Sequence, residues 1–478
     1  MSASRVAGSG DLRSVEMVDV PRHDDGTVDL DAVFDACSPA DLLESADGGG
    51  WSYVVPHGRG RLVDDGTTTR WIGPDGHASD EGPDPFTAIE RWSERLGIGP
   101  DLDPPEGDGP VFTGGFVGAL AYDLGHRIEH LPRRLTDDRG MPHLRLDVAE
   151  VVVAIAPARD RVVVLGRDLL GGGNVAARLT EIRRRIGRAG PSTPAPLPPD
   201  RPPTLVSSLD RDAHHAGVRA VLEHIAAGDV FQVNLTQRLS TRWEHDAVAL
   251  YRALRHESPA AFGALLPAIG VASVSPETFL AVSGRRVTTR PIKGTRPRHT
   301  DPDLDAALAD DLSTSAKDRA ENVMVVDLER NDLGRVCRTG SVQVPELAAV
   351  EAHPTVWHLV STVTGELRPE VGYGELLRAT FPCGSITGAP KIAAMQIIER
   401  LESARRGWYC GAVGFLSPGA ASLSVAIRTA TLHPDGTVDY GAGGGIVADS
   451  DPGDERRESF DKAAAFLRAV GIPQERVG

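Results

Sequence analysis

A proline-rich segment near the middle of the chain sets the strongest limit on how the chain can fold. Residues 190–203 read GPSTPAPLPPDRPP. Proline fixes the backbone angle φ and lacks an amide hydrogen, so neither a helix interior nor a central strand can run through this segment. A chain of 478 residues is long enough for roughly two to four average domains. We therefore predict an N-terminal region 1–189, a linker 190–203 and a C-terminal region 204–478.

Hydrophobic patterning on both sides of this linker predicts an α+β fold. Two β-branched runs, Val148–Ala156 and Arg161–Val164, are joined by a short polar turn and predict a hairpin. The C-terminal region alternates helices and strands without strict βαβ order, which favours large mixed, mostly antiparallel sheets in a sandwich, with helices outside. The other strands are predicted at Trp51–Val55, Val111–Ala121, Ala412–Phe415, Ser422–Ala430 and Thr437–Tyr440, and the helices at Ala176–Ile186, Asp212–Ala227, Ser315–Leu333, Ile392–Leu401 and Glu455–Val470.

Composition excludes several classes of protein. The net charge of −16 argues against nucleic acid or an anionic membrane as the main partner. The four cysteines are scattered without a CxxC pair, so neither a zinc site nor a disulfide framework is indicated. The first residues are polar, and no apolar run approaches the ~18 residues of a membrane span. We expect a cytoplasmic protein that binds neither nucleic acid nor membrane.

Lys293 is the first candidate for chemistry. Only four of the 51 lysine and arginine residues are lysines, and Lys293 lies in the sequence PIKGT, after an apolar-alternating segment. This pattern predicts a strand running into a tight turn. Lysine, unlike arginine, can lose its proton and act as a nucleophile. An ordinary surface lysine at a turn is the alternative.

Two pairs of acidic residues are spaced for one helix face. Asp318 and Glu321 are three residues apart, as are Glu455 and Glu458, and such spacing places both carboxylates on the same side of a helix. Mg²⁺ is commonly held by one or two carboxylates together with substrate oxygens. Because acids in the first helical turn also stabilise the helix dipole, the spacing leaves both interpretations open.

Glycine-rich runs, a histidine and an arginine complete the candidates. The run Gly441–Gly445 lies between two strand-like segments and could approach a ligand carboxylate closely, or form a bend. The run Phe381–Lys391 enters a helix, which is the geometry of an anion site or of an ordinary helix entry. His358 lies in a β-branched stretch, where a core role is the commoner one. Arg428, within an apolar strand, needs a carboxylate from the protein or a ligand.

The order of these motifs resembles that of the chorismate-utilising enzymes, and within them component I of aminodeoxychorismate synthase (para-aminobenzoate synthase component I). The resemblance runs from Phe231 to Leu467, and GGFVGALAYDLGHRIE extends it weakly to the N-terminal region. It implies the fold of component I of anthranilate and aminodeoxychorismate synthases. It is carried by FQVNLTQR, SPETF, PIKGTRPR, DRAENVMVVDLERNDLGRV, WHLVSTV, FPCGSITGAPK, RGWYCGAVGF, SVAIRTA and GAGGGIVADSD.

Three features sort the activities within this family: Lys293, Gln232 and the sequence SITGAPK, which resembles the aminodeoxychorismate synthase form more than the TLSGAPK of anthranilate synthases. Lys293 matches the nucleophile of aminodeoxychorismate synthases, where anthranilate synthases carry alanine. Gln232 stands where the water-using isochorismate and salicylate synthases carry a lysine. The sequence Leu43-Glu44-Ser45 resembles the tryptophan pocket of anthranilate synthases and points the other way. Cys383 departs from the glycine or alanine that is commoner in the family.

The resemblance implies a role for each site residue. It assigns catalysis to Lys293, Glu277 and His358. It assigns Mg²⁺ binding to Glu321 and Glu458, with Asp318 and Glu455 as supporting acids behind them. It assigns substrate binding to Thr295, Lys391, Tyr409, Arg428, Gly443, Gly444 and Gly445.

The resemblance also implies the reaction and the partners. Chorismate and ammonia would give 4-amino-4-deoxychorismate for 4-aminobenzoate and folate synthesis. No cysteine lies in the G-x-C-x-G turn of glutamine amidotransferases, so a separate amidotransferase subunit is the expected ammonia source. Bound tryptophan is a further expected ligand. The alternatives are anthranilate synthase component I, and a non-catalytic regulator that binds tryptophan or chorismate.

Overall fold

The chain folds into two large sheets flanked by helices. The computed structural model describes residues 12–17, 19–46, 50–105, 107–192 and 203–473. The helices are α1 (Leu30–Cys37), α2 (Pro85–Leu96), α3 (Val175–Ile186), α4 (Arg211–Ala226), α5 (Ala247–Glu257), α6 (Pro302–Thr314), α7 (Ala316–Gly334), α8 (Tyr373–Thr380), α9 (Lys391–Leu401) and α10 (Pro452–Ala469). None of these helices of the described residues is long and apolar enough to cross a bilayer.

The strands are short and follow one another closely along the chain. They are β1 (Arg13–Met17), β2 (Ala40–Glu44), β3 (Ser52–Pro56), β4 (Arg61–Asp64), β5 (Thr69–Ile72), β6 (Ala78–Gly82), β7 (Gly115–Leu120), β8 (Leu144–Ala149), β9 (Val151–Ala156), β10 (Arg161–Gly166), β11 (Val206–Ser207), β12 (Gln232–Arg242), β13 (Phe262–Leu266), β14 (Val271–Ser275), β15 (Thr278–Ser283), β16 (Arg286–Arg290), β17 (Ile292–Pro297), β18 (Gln343–Ala352), β19 (Val356–Glu366), β20 (Gly388–Ala389), β21 (Ala412–Ser417), β22 (Ala420–Val425), β23 (Thr429–Leu432) and β24 (Thr437–Ile446).

The strands of the described residues pair in two sheets. The first has the order β1-β10-β9-β3-β2-β13-β14-β23-β24-β12-β11, with β20 beside β12; the second has the order β17-β19-β16-β15-β22-β21-β7-β8-β4-β5-β6, with β18 beside β19. The pairings between these strands are antiparallel. The predicted α+β class with large antiparallel sheets is therefore confirmed.

Three apolar layers hold the sheets and helices together. The middle layer lies between the two sheets and takes side chains from both, such as Tyr53 of the first and Phe415 of the second. A second cluster covers the outer face of the first sheet with helices α1, α3, α5 and α10. A third packs α2, α7 and α8 on the second sheet. The predicted arrangement of a sheet sandwich with helices outside follows from this layering.

Both sheets contain strands from before and after the predicted linker. In the first sheet β2 pairs with β13, and in the second sheet β7 pairs with β21. The two regions of the sequence therefore share both sheets and the apolar layer between them. Most of the predicted linker, residues 193–202, lies outside the described residues, so the domain boundaries stay a prediction.

Helix bounds follow the capping signals in the sequence. Helix α7 begins after Ser315, whose hydroxyl accepts a hydrogen bond from the amide of Asp318 at 3.2 Å. Helix α10 begins at Pro452 after Asp451, whose carboxylate accepts from two amides of the first turn. Such caps satisfy amides that have no partner within the helix. The predicted hairpin is confirmed for β9 and β10, with Arg161 opposite Ala156, but its predicted first arm is too long, because Val148 and Ala149 belong to β8 of the second sheet.

Another predicted strand is also divided between the two sheets. The segment Ser422–Ala430 is not a single strand, because the chain leaves the second sheet after Val425 and enters the first sheet at Thr429. Arg428 lies at this crossing with a positive φ of 50°, a conformation incompatible with continued strand geometry. The sequence pattern of an apolar, β-branched run does not distinguish a single strand from two strands that lie in different sheets.

Two predicted turns are also corrected. The run Gly441–Gly445 is not a loop but lies inside β24, paired with β12. Lys293 lies inside β17 rather than in a tight turn. The register of β17 against β19 slips by one residue between Ile292 and Thr295, and Gly294 has φ of 82°. This is a β-bulge, which bends a strand and redirects a side chain.

Candidate active site

The sequence-predicted site residues meet where the ends of both sheets face α7, α10 and the loop 382–387. Strands β17 and β19 come from the second sheet, and β24 from the first. Helix α7 packs on β17 and β19, and α10 packs on β24. The two sheets thus supply opposite walls, and the two acidic helices close one end.

Lys293 lies at the bulge of β17, and its surroundings favour the neutral amine. Its Nζ donates a hydrogen bond to the backbone oxygen of Ser385 at 3.0 Å. Burial lowers the pKa of Lys293, while the carboxylates of Glu277 and Glu321 act in the opposite direction. A lysine whose ammonium form is disfavoured by desolvation is a stronger nucleophile near neutral pH.

Glu277 follows β14 and faces the same space. It is 4% exposed, and its Oε1 has no hydrogen-bond partner among the described residues. Burial raises the pKa of Glu277, against a hydrogen bond from Ser385 and the charge of Lys293. A buried carboxyl with a raised pKa and an unpaired oxygen has the properties of a general acid.

Thr295 and His358 form a pair across the β17–β19 ladder. The Thr295 hydroxyl and His358 Nδ1 lie 3.0 Å apart. Burial, together with the charges of Arg428 and His353, lowers the pKa of His358 to about 3. The imidazole is therefore neutral at physiological pH and polarises or orients a neighbour rather than supplying a positive charge.

Arg428 has no carboxylate counterion among the residues that the structure describes. The hydrogen bond that its guanidinium makes within the described residues is a long one of 3.5 Å to the Ser258 hydroxyl, and no carboxylate there forms an ion pair with it. Burial lowers the pKa of Arg428. A part-buried guanidinium that has no carboxylate partner among the described residues is suited to an anionic ligand.

The glycines of β24 bring its backbone close to neighbouring side chains. Strand β24 pairs with β12 along its length but with β23 only as far as Tyr440, so one edge is open beyond that residue. A Cβ at Gly441 would lie 2.1 Å from the ring of Tyr409, and one at Gly445 would lie 2.0 Å from the amide of Gln232. A Cβ at Gly444 would approach Glu455 and Glu458. The absence of Cβ atoms therefore lets these side chains approach the backbone of β24 closely.

The two acidic pairs face each other from α7 and α10. Burial raises the pKa of Glu321, and Asp318 and Glu458 add to the effect. Burial also raises the pKa of Glu455, whose Oε1 accepts from the Ser450 hydroxyl at 2.5 Å. Asp318 is held by Arg296 at 3.1 Å.

This carboxylate group fits a hard cation bound with a substrate. Partial burial raises the pKa of Glu458, but the ammonium of Lys462, 2.7 Å away, brings it below its ordinary value. In the described residues no cluster of three or more His, Cys, Asp or Glu side chains forms a complete metal site. Two carboxylates, with the remaining ligands from substrate and water, match the way Mg²⁺ is usually held.

Lys391 is engaged by the protein itself. Its ammonium contacts Asp332 and donates to the backbone oxygens of Thr380 at 3.1 Å and Pro382 at 2.7 Å. An ammonium has three donors, so these contacts use all of them. The geometry gives no support to the predicted contact of Lys391 with substrate and instead shows that Lys391 fixes the loop that carries Ser385.

Sequence reasoning missed two side chains at the site. Ser385 contacts Lys293 through its backbone and Glu277 through its side chain. Lys462 pairs with Glu458 and donates to the backbone oxygen of Gly443 at 3.0 Å. The rarity of lysine was the available signal, because all four lysines, with Lys317 on α7, lie around this site.

A separate cavity of about 330 Å³ lies between the sheets, lined by the predicted tryptophan motif. Leu43, Glu44 and Ser45 lie in its wall together with aromatic side chains. Glu44 accepts from the Tyr251 hydroxyl at 2.5 Å and pairs with Arg255 at 3.1 Å. The volume is in the range of small-molecule sites.

Comparison with known proteins identifies the family of the chain. The profile of the family described as "chorismate binding enzyme" matches residues 61–468. The chain belongs to the chorismate-binding enzymes. This confirms the resemblance inferred from the motifs, and it establishes that the chain is an enzyme of this family.

Individual chorismate-binding enzymes similar to the chain carry two kinds of name. The aminodeoxychorismate synthase component 1 of Klebsiella aerogenes is 38% identical over 424 residues, covering 87% of this chain and 88% of that protein. The anthranilate synthase component 1 of Thermus thermophilus is 41% identical over 397 residues, covering 82% and 83%. The crystal structure of anthranilate synthase component I from Streptococcus pneumoniae superposes with a TM-score of 0.75 at 28% identity, covering 87% and 91%.

Proposed function

We propose that this enzyme is component I of an aminodeoxychorismate synthase, which converts chorismate and ammonia into 4-amino-4-deoxychorismate and water. The observation that carries the proposal is the position of Lys293. It is redirected by a bulge into a site where burial lowers its pKa, next to the buried acid Glu277. A binding protein has no need of such a pair, whereas covalent catalysis requires it.

The chemistry of the proposal is a double displacement. The neutral amine of Lys293 bonds to C2 of chorismate, the ring electrons shift, and the C4–O bond breaks. The carboxyl of Glu277 gives its proton to the departing hydroxyl, which leaves as water. Ammonia then bonds to C4, the electrons shift back, and the amine of Lys293 is released. This sequence places the new nitrogen at C4.

Binding groups in the proposal surround the ring on several sides. Arg428 and the open edge of β24 would hold the substrate carboxylates, and the neutral pair of Thr295 and His358 would orient the ring. Glu321 and Glu458 would hold Mg²⁺, which supplies positive charge to stabilise a ring carboxylate and the electrons that shift toward it. Tyr409 forms part of the wall at Gly441.

The ammonia source in the proposal is a second protein. The relatives are named as component 1 of their synthases, and a separate glutamine amidotransferase subunit would be the second component here. The product keeps its enolpyruvyl ether, so a separate lyase would complete 4-aminobenzoate. The proposal places the enzyme in the cytoplasm and in folate synthesis.

A product assay tests the proposal directly. The purified chain is incubated with chorismate, Mg²⁺ and ammonia, and the products are separated by liquid chromatography and identified by mass. We expect an aminated chorismate that a 4-aminobenzoate-forming lyase consumes. Anthranilate as the product, or no amination at all, would contradict the proposal.

Variants of Lys293 add the matched controls. Lys293→Ala removes the nucleophile and should lower the rate of amination by roughly a thousandfold or more. Lys293→Arg keeps the positive charge but not the nucleophile, and we expect it to be equally inactive. Chorismate binding measured by calorimetry should survive in at least one of the two variants. Unchanged amination in either would show that Lys293 is not the nucleophile.

Anthranilate synthase activity is the second candidate, and the cavity at Leu43–Ser45 favours it. A tryptophan bound in that cavity would fit the apolar wall with its indole and approach Glu44 with its amino group. Titration of the chain with tryptophan, followed by melting temperature, tests the site. A rise with tryptophan that is absent for phenylalanine and lost in Ser45→Trp is expected. No rise would remove tryptophan as a ligand, and the product assay separates the two activities.

A further inference from the structure

A buried chain of polar groups leads away from Glu277 into the protein interior. The Ser385 side chain lies close enough to the Glu277 carboxyl to act against the rise of its pKa, and its Oγ lies 3.2 Å from Sγ of Cys383. The thiol of Cys383 donates to Oε1 of Glu329 at 3.3 Å. These four residues are each at most 4% exposed. Each contact joins a group that can both give and receive a proton to the next such group.

Glu329, the last group in this series of contacts, is fully buried and only partly hydrogen-bonded. It is 0% exposed, its Oε1 also accepts from the amide of Gly384 at 2.9 Å, and its Oε2 has no hydrogen-bond partner among the described residues. A fully buried carboxylate with one unpartnered oxygen is costly, and removing the charge by taking up a proton is the usual relief.

Burial and the neighbouring charges bring the pKa of Glu329 close to neutral pH. Burial raises the pKa of Glu329 to about 7, with help from Asp332 and opposition from Lys391 and the Cys383 thiol. Asp332 lies on the same helix, is paired with Arg335 at 2.8 Å and contacts Lys391 from α9. Protonated and ionised forms of Glu329 therefore coexist near neutral pH.

We propose that Cys383 and Glu329 form a proton relay that loads and unloads the catalytic acid Glu277 through Ser385. The proposal rests on the proposed function, in which Glu277 gives up a proton and must regain it. When the ionised Glu277 takes a proton from Ser385, the Cys383 proton moves to Ser385 and the Glu329 proton moves to Cys383. Each intermediate group ends with the hydrogens it began with, and one negative charge moves from Glu277 to Glu329.

The relay gives Cys383 a role that a purely structural residue would not have. Glu329 and Cys383 act through Glu277, so they are positioning residues rather than catalytic ones. Cys383→Ala removes the link on both sides, Cys383→Ser restores a hydroxyl at the same place, and Glu329→Gln keeps the shape but cannot take up a proton. Melting temperatures identify any variant that fails to fold.

Kinetics of chorismate consumption with saturating ammonia, from pH 6 to 9, form the first test. We expect Cys383→Ala to lower kcat about tenfold, less than the roughly hundredfold or more lost with a directly acting acid, and to leave KM for chorismate unchanged. Cys383→Ser should recover most of kcat. Glu329→Gln should remove an inflection near neutral pH from the kcat profile. Wild-type kcat in Cys383→Ala, or an unaltered profile in Glu329→Gln, would overturn the relay.

Infrared difference spectra form a second test that does not depend on the product. Chorismate is added to the protein, and the carbonyl band of protonated carboxyl groups is followed, with the Glu329→Gln spectrum identifying the contribution of Glu329. We expect chorismate to change the protonation of Glu329 in the wild type and in Cys383→Ser but not in Cys383→Ala. An identical change in Cys383→Ala would overturn the relay even if the enzyme proves to make anthranilate.

Discussion

At the scale of single residues, protonation decides what the site can do. An unperturbed lysine has a pKa of about 10.4 and is almost entirely charged at neutral pH. Burial lowers the pKa of Lys293, whereas burial raises the pKa of Glu277. The two shifts have the same physical cause and opposite directions, because desolvation disfavours the charged form of each group. Burial therefore shifts both groups toward the neutral forms that the proposed first displacement needs.

This arrangement predicts that Lys293 titrates below an ordinary lysine. Burial disfavours the ammonium, so the neutral amine is populated at lower pH, and reactivity toward an amine reagent should rise earlier on the pH scale. Short pulses of reductive methylation between pH 7 and 11, read for each lysine peptide by mass spectrometry, measure the titration. Glu277→Gln removes an opposing carboxylate and should lower the midpoint further. A midpoint at or above that of a free lysine would contradict the assigned environment.

At the scale of elements, the sequence identified segments more reliably than their connections. The capping residues Ser315 and Asp451 and the β9–β10 hairpin were predictable because their signals are local. The crossing at Arg428 and the bulge at Lys293 were not, since both depend on which sheet the neighbouring strands join. Gln232 and Ser385 reach the site only through such non-local pairings.

Strand β24 predicts a sharp steric limit at Gly443. A Cβ at this position would lie 2.2 Å from the backbone oxygen of Leu235 on β12, and backbone atoms cannot move aside without disturbing the ladder. Gly443→Ala should therefore destabilise the fold by about 1 to 3 kcal/mol. Chemical denaturation measures the difference.

The matched control is Gly334→Ala at the end of α7, where an added Cβ meets nothing within 4 Å. This change should be neutral or stabilising by up to about 1 kcal/mol, since alanine is the better helix former. Equal stability of the two variants would show that β24 and β12 do not approach as closely as described.

At the scale of the whole molecule, both sheets are built jointly by the regions 1–189 and 204–478. Residues 203–478 expressed alone would expose β13 and β21 as unpaired edges and uncover the apolar layer between the sheets. Exposed edges of this kind promote aggregation. We expect this fragment to show no cooperative melting transition in calorimetry.

Cleavage of the intact chain at a protease site placed within residues 193–202 is the complementary measurement. The two pieces should stay together in gel filtration and melt in one transition, because the strand pairs β2–β13 and β7–β21 remain in place. Independent melting of the pieces, or a folded fragment 203–478, would show that the C-terminal region is a domain of its own.

The crossing between β22 and β23 links the two sheets through the backbone itself. Arg428 lies on that crossing, and an anion bound to it is attached to the segment shared by both layers. A bound ligand would then oppose the sliding of one layer over the other. It would also oppose local opening of the site. The binding free energy would therefore stabilise this crossing, where a single stretch of three residues connects the two sheets.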